Sequence, residues 1–190
     1  MVRIITGTKK GKKLVTLEGD ATRPTSERIK GAIFSSIQFD VENRRVLDLF
    51  AGSGQLGFEA LSRGAENVTF VDSERDAMEI VKKNARALDF FDKAKYSVAD
   101  YRNYIRKASG RDKFDLVFID PPYAMECCVD AAMRLADAEL IIPGAIVVME
   151  SGTEEINDND ERLSGFEFVK STNYGKKTAV NILIFRGEEA

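Results

Sequence analysis

Apolar positions fall in short runs, and the spacing between them switches repeatedly between the strand and helix periods. From residue 45 onward, near-continuous apolar runs predict strands at Val46–Phe50, Val68–Asp72, Ala94–Val98, Phe114–Asp120 and Ala145–Glu150. Helical spacing predicts helices between them at about Gln55–Arg63, Glu74–Asp89, Tyr101–Lys107 and Met125–Asp137. Gly64 suits the position just past the end of the first of these helices. Upstream, Ile29, Ala32, Ile33 and Ile37 recur at helical spacing behind a Pro and a Thr/Ser start, predicting a helix from about Ser26 to Ile37. The chain opens with two short strand candidates, Arg3–Thr6 and Lys12–Leu17, around a Gly/Lys turn. It closes with two more, Phe166–Tyr174 and Thr178–Arg186, around Gly175-Lys176-Lys177.

Strands alternating with helices predict an α/β fold, a doubly wound and mostly parallel sheet with a terminal antiparallel hairpin. The chain of 190 residues suits one such domain, residues 25–190, behind a hairpin extension at 1–24. It contains neither an internal repeat nor a low-complexity tract. Ligands of these sheets bind beyond the carboxyl ends of the strands. The residues there are Asp48, Asp72, Asp100 and Asp120, all aspartates.

Composition narrows the chemistry. The chain has no histidine, which removes Ser-His-Asp and Cys-His mechanisms and the commonest zinc ligand, so no metal site is expected. Its two cysteines, Cys127 and Cys128, are neighbours and make neither a disulfide framework nor a ligand set. A reducing, cytoplasmic setting is expected. The start MVRIITGTKKGKK is basic but has no apolar stretch, so neither a secretory leader nor a membrane span is expected. Net charge is −3, yet residues 1–30 carry eight basic and three acidic side chains, leaving −8 on the other 160. A basic arm on an acidic body can dock phosphates, with Lys9, Lys10, Lys12, Lys13 and Arg23 as candidates; a solvated terminus is the alternative.

Two segments carry chemistry. VLDLFAGSGQLGFEAL runs from strand into helix and contains Gly52-x-Gly54-x-x-Gly57, the dinucleotide spacing, with Asp72 18 residues after Gly54. A nicotinamide oxidoreductase is one reading. The form Asp48-Leu-Phe-Ala-Gly-Ser-Gly fits S-adenosylmethionine better: an acid can face its ammonium, and bare glycines admit an uncharged adenosyl group. The second segment is Asp120-Pro121-Pro122-Tyr123 at a strand end. An amino group on a base is a poor nucleophile because its lone pair is conjugated to the ring. A carboxylate and a rigid proline-flanked carbonyl can accept its two hydrogens and orient it, and an aromatic face can stack the base. A proline-stiffened loop is the bland alternative.

Taken together these motifs resemble the RsmD family, methyltransferases of the guanine N2 in small-subunit (16S) ribosomal RNA. The resemblance rests on Arg3-Ile4-Ile5-x-Gly7, Arg23-Pro24-Thr25, Val46 through Gly54, Glu59-Ala60-Leu61-Ser62-Arg63-Gly64-Ala65 and Phe114 through Tyr123. It implies a class I S-adenosylmethionine-dependent, Rossmann-like fold with a reversed final strand. It implies ribosomal RNA in an assembling small subunit as the partner, and a monomer is expected. The implied cofactor set is Asp48, Phe50, Ala51, Gly52, Ser53, Gly54, Asp72, Asp100, Tyr101 and Thr25; the catalytic set is Asp120, Pro121, Pro122 and Tyr123. Arg23 is open between RNA and cofactor. Three positions depart from the family pattern: Asp72, where Glu is frequent, and the pair Gln55-Leu56, where smaller residues are usual. Adenine-N6 methylation of DNA or RNA and a non-catalytic assembly factor stay open as alternatives.

Overall fold

The structure, a computed structural model, describes residues 2–16, 27–175 and 178–187, and of Tyr123 the backbone alone. Thr25, Arg23 and the start of the first predicted helix lie outside the described residues. The chain divides into two compact units, Met1–Asp100 and Tyr101–Ala190. Among the described residues seven strands are mostly parallel with an antiparallel end, the α/β class expected.

The first unit runs α1 (Glu27–Ser36), β1 (Arg45–Asp48), α2 (Gln55–Ser62), β2 (Asn67–Asp72), α3 (Arg75–Ala87) and β3 (Ala94–Val98). Its strands lie in the order β3-β2-β1, all parallel, with Asp48 opposite Phe70 and Asp72 opposite Val98. This register brings Asp48, Asp72 and Asp100 to one carboxyl edge. The apolar runs are buried throughout β1 and β2; β3, alternating and half-exposed, is the outer strand of the three. Every residue of α2 is buried, and the helix closes on Gly64 in the left-handed conformation.

The opening hairpin is less regular than its sequence predicts. Among the described residues only Arg3 and Lys13 form a β-bridge in it. The backbone donor of Thr6, which would extend a ladder, instead goes to the Glu59 carboxylate at 3.0 Å, beside Ile5 N–H at 2.7 Å. Thr8 N–H goes to the carbonyl of Ser62 at 2.8 Å and Lys9 N–H to its hydroxyl at 2.9 Å. Residues 2–16 are therefore an arm seated on α2.

The second unit runs α4 (Tyr101–Ala108), β4 (Phe114–Ile119), α5 (Cys128–Asp137), β5 (Ile141–Ser151), β6 (Phe166–Asn173) and β7 (Ala179–Phe185). Its strand order is β4-β5-β7-β6: β4 and β5 are parallel, and β7 is antiparallel to both its neighbours. Two boundaries differ from the sequence expectation by three residues or more. β5 begins four residues earlier, because the pairing absorbs Pro143 and Gly144 in a register shift rather than stopping at them. α5 begins at Cys128, since Glu126 takes a left-handed backbone (φ 41°) that no helix admits.

Candidate functional site

The glycine loop turns from β1 into α2 with three glycines that answer to different needs. A Cβ on Gly57 would sit 2.3 Å from the Phe70 ring, so this glycine lets α2 lie against β2. Gly54 has φ 81°, and a Cβ there would meet Phe58 at 2.5 Å. Gly52 has φ 52° and nothing within 4 Å of an added Cβ; it faces open space. The turn is pinned by Ala51 N–H to Val71 O at 2.9 Å and Gly54 N–H to Ala51 O at 2.7 Å. Ala51 and Ser53 are buried and Phe50 is half-buried.

Asp72 reaches the loop from the end of β2. One carboxylate oxygen accepts Gly52 N–H at 2.8 Å, the other Glu74 N–H at 2.9 Å. Half-exposed, it keeps a lone pair on each oxygen, enough to accept from two vicinal hydroxyls. Asp48 is 2% exposed and accepts Gly57 N–H at 3.0 Å, so its carboxylate ties β1 to the first turn of α2. Burial pushes it up to about 7, against the hydrogen bond from Gly57 and with the charge of Asp72 adding to the rise. Gln55, the departure from the family pattern, is buried at the first position of α2, and its amide oxygen has no partner among the described residues. The open face at Gly52, the spare acceptors of Asp72 and the absence of a phosphate-binding basic side chain in VLDLFAGSGQLG fit a nucleoside-type cofactor without phosphates.

Asp100 is exposed beyond β3. Tyr101, the next residue, opens α4 and is 5% exposed. Its hydroxyl donates to Asp130 at 2.6 Å and accepts from the Arg102 guanidinium at 3.0 Å, and burial raises the phenol to about 12. The sequence reading places both in the cofactor set; Asp100 is the last residue of the first unit and Tyr101 the first of the second.

Asp120 follows β4 directly and is half-buried; Pro121 is buried and Pro122 exposed. A tight 3-10 turn, Tyr123–Met125, continues the segment, with the Pro122 carbonyl accepting Met125 N–H at 2.8 Å. The Pro121 carbonyl has no protein donor among the described residues. The segment is braced from behind. Glu154, after β5, accepts the N–H groups of Cys128 and Val129 at 2.7 and 3.1 Å and so caps α5. Both cysteines are buried, with thiols pushed up chiefly by burial, which makes them poor nucleophiles.

The lysines divide. Lys10, Lys12 and Lys13 are exposed at the arm's tip. Lys9 pairs with Asp89 at 3.0 Å and lies over the Phe90 ring. Two other basic residues of the opening segment are engaged internally. Arg3 pairs with Glu27, and Lys30, fully buried, donates to the Arg3 carbonyl at 2.7 Å beside Glu59. The net charge of residues 1–30 therefore overstates what the arm offers a phosphate. Sequence reading missed Glu59, Glu154 and Asn84 as organisers. Asn84 carried a signal as a polar residue in the apolar stripe Ala77, Met78, Val81, Ala85, and Glu59 as the first residue of the segment Glu59–Ala65 that carries the family resemblance. Among the described residues no group of acidic and cysteine side chains could hold a metal ion, and no helix is long and apolar enough to cross a membrane.

Comparison with known proteins covers almost the whole chain. The family model described as conserved hypothetical protein 95 matches residues 2–183. YlbH of Bacillus subtilis is 42% identical over 155 residues, 80% of this chain and 84% of that one. Ribosomal RNA small subunit methyltransferase D of Haemophilus influenzae is 34% identical over 151 residues, 79% of this chain and 78% of that one. The structure of the Escherichia coli protein yhhF superposes with a TM-score of 0.84 at 25% identity, covering 98% of this chain and 99% of that one.

Proposed function

The chain belongs to the family described as conserved hypothetical protein 95, the RsmD family, and from that premise we propose that it is an S-adenosylmethionine-dependent methyltransferase of ribosomal RNA. We propose further that it methylates the exocyclic N2 of a guanine in small-subunit rRNA, acting as a cytoplasmic monomer on an assembling subunit. The observation that carries this reading is the strand-end Asp120 followed by Pro121, whose carbonyl has no protein donor among the described residues.

S-adenosylmethionine supplies a methyl group already activated by a sulfonium. The residues therefore have to bind and orient rather than to generate a strong base, which accords with a chain that has no histidine. Asp72 accepts from the ribose hydroxyls with its two remaining lone pairs, and Gly52 leaves room for the adenosyl group. Asp48 sets the helix behind the loop and is poised to ionise toward a cationic ligand. Asp120 and the Pro121 carbonyl accept the two hydrogens of the target amine. This aims its lone pair and stabilises the positive charge that grows on nitrogen as the methyl arrives. Tyr123 stacks the extruded guanine.

Asp120→Ala tests the assignment. Methyl transfer should fall about 100-fold or more, while affinity for S-adenosylhomocysteine stays within about twofold, a change below 0.5 kcal/mol. Near-normal turnover in this variant would contradict the chemistry.

A further inference from the structure

Two parts of the first unit, the basic arm that is a candidate for phosphate docking and the glycine loop, meet on one side chain. Asn84 projects from α3 and is 1% exposed. Its amide oxygen accepts Val15 N–H at 2.8 Å, and its amide nitrogen donates to Val15 O at 2.9 Å and to Ser53 O at 3.0 Å. To the arm it acts as a strand edge would, pairing with both backbone groups of one residue. To the glycine loop it holds one side of the Ser53–Gly54 peptide plane, whose N–H is held on the other side by Ala51 O at 2.7 Å.

We infer that Asn84 is a positioning residue that couples RNA docking on the basic arm to cofactor binding in the glycine loop. The inference rests on the methyltransferase reading above. A buried carboxamide has no water to replace a missing partner, so displacing Val15 leaves its oxygen and one N–H unpaired and frees the group to turn away from Ser53. Holding the arm still keeps the carboxamide, and with it the loop, in place. Lys13 and Lys12 lie two and three residues before Val15, so phosphates bound there steady the bonded residue directly. Of the other arm anchors, Glu59 and Ser62 grip residues 5–9 from the middle and end of α2, while Lys30 and Glu27 hold Arg3 and Asp89 pairs with Lys9. Coupling of this kind is reciprocal: whatever RNA on the arm does for cofactor affinity, cofactor in the loop does for the arm.

Reciprocity permits a test without RNA. Amide hydrogen exchange of the wild-type protein is measured with and without saturating S-adenosylhomocysteine. The Val15 amide should slow about fivefold or more, in step with Gly54. In Asn84→Ala, Gly54 should still slow on binding while Val15 does not respond. Asn84→Asp keeps an acceptor for Val15 N–H but loses the donor to Ser53, and should likewise lose the response at Val15; it serves where the alanine variant fails to fold. A residue that merely stabilised the fold would change exchange equally with and without ligand. The inference is overturned if Gly54 slows in the wild type and Val15 does not, or if Val15 still responds in a folded Asn84 variant. Failure of the wild type to bind S-adenosylhomocysteine would instead overturn the reading on which it rests.

Discussion

Gly52 and Gly57 occupy equivalent places in a spacing motif, yet their environments differ. At Gly57 an added methyl meets the Phe70 ring and Val68, so Gly57→Ala should cost about 1–3 kcal/mol, read as a lowered Tm. At Gly52 it meets nothing of the protein, so Gly52→Ala should fold with about 1–2 kcal/mol of backbone strain. It should weaken S-adenosylmethionine binding about tenfold, roughly 1.4 kcal/mol. Calorimetry in which Gly52→Ala bound the cofactor normally would move the ligand away from this face. Asp48 makes a prediction in pH. Its carboxyl is raised from the ordinary 3.8 to about 7 by burial, so between these values the unfolded chain has released a proton that the native state keeps. Asp48 therefore costs stability progressively as pH rises from about 4 to 7, and the cost is constant above that. Asn in its place keeps the acceptor for Gly57 N–H, so Asp48→Asn should match the wild type near pH 4 and melt higher near pH 8. Parallel Tm curves across that range would contradict a buried, perturbed Asp48. The motif residues were legible in the sequence because each belongs to a local pattern. What each touches was not, because Gly57 of α2 meets Phe70 and Val68 of β2 only when the helix packs on the sheet.

Elements were legible where their period was uninterrupted, as in β2, β3 and β4, and less so where a backbone exception intervened. Pro143-Gly144 inside β5 reads locally as a breaker, and the left-handed Glu126 has no signature in its side chain. The arm is the clearest case. Its sequence reads as two strands around a Gly/Lys turn, but Glu59 and Ser62, more than 50 residues away, capture the N–H groups of Ile5, Thr6 and Lys9. Its lysines also part company in function. Lys9→Ala should lower Tm slightly, since the pair with Asp89 is partly exposed and worth under about 1 kcal/mol, and should leave RNA binding almost unchanged. Lys10, Lys12 and Lys13 replaced together by Ala should weaken RNA binding and reduce the slope of log K against log salt by about one unit for each phosphate no longer neutralised. An unchanged slope would assign the arm's tip to solvent.

At the scale of the whole molecule, the α/β class, the reversed final strand and family membership followed from the order of elements and the motifs at their ends. The division of labour is also chemical. The first unit carries the glycine loop, Asp72 and the arm; the second carries Asp120-Pro121-Pro122-Tyr123. The base and the nucleic acid chosen were not legible from these motifs, because an aspartate and a carbonyl accept from any two amine hydrogens. The deciding measurement is therefore the product. The protein is incubated with methyl-labelled S-adenosylmethionine and, separately, small ribosomal subunits, deproteinised rRNA and DNA, and the labelled nucleoside is identified after digestion. The expected product is N2-methylguanosine in small-subunit rRNA. Label in N6-methyladenine, or none in any of the three substrates, would contradict the proposed activity.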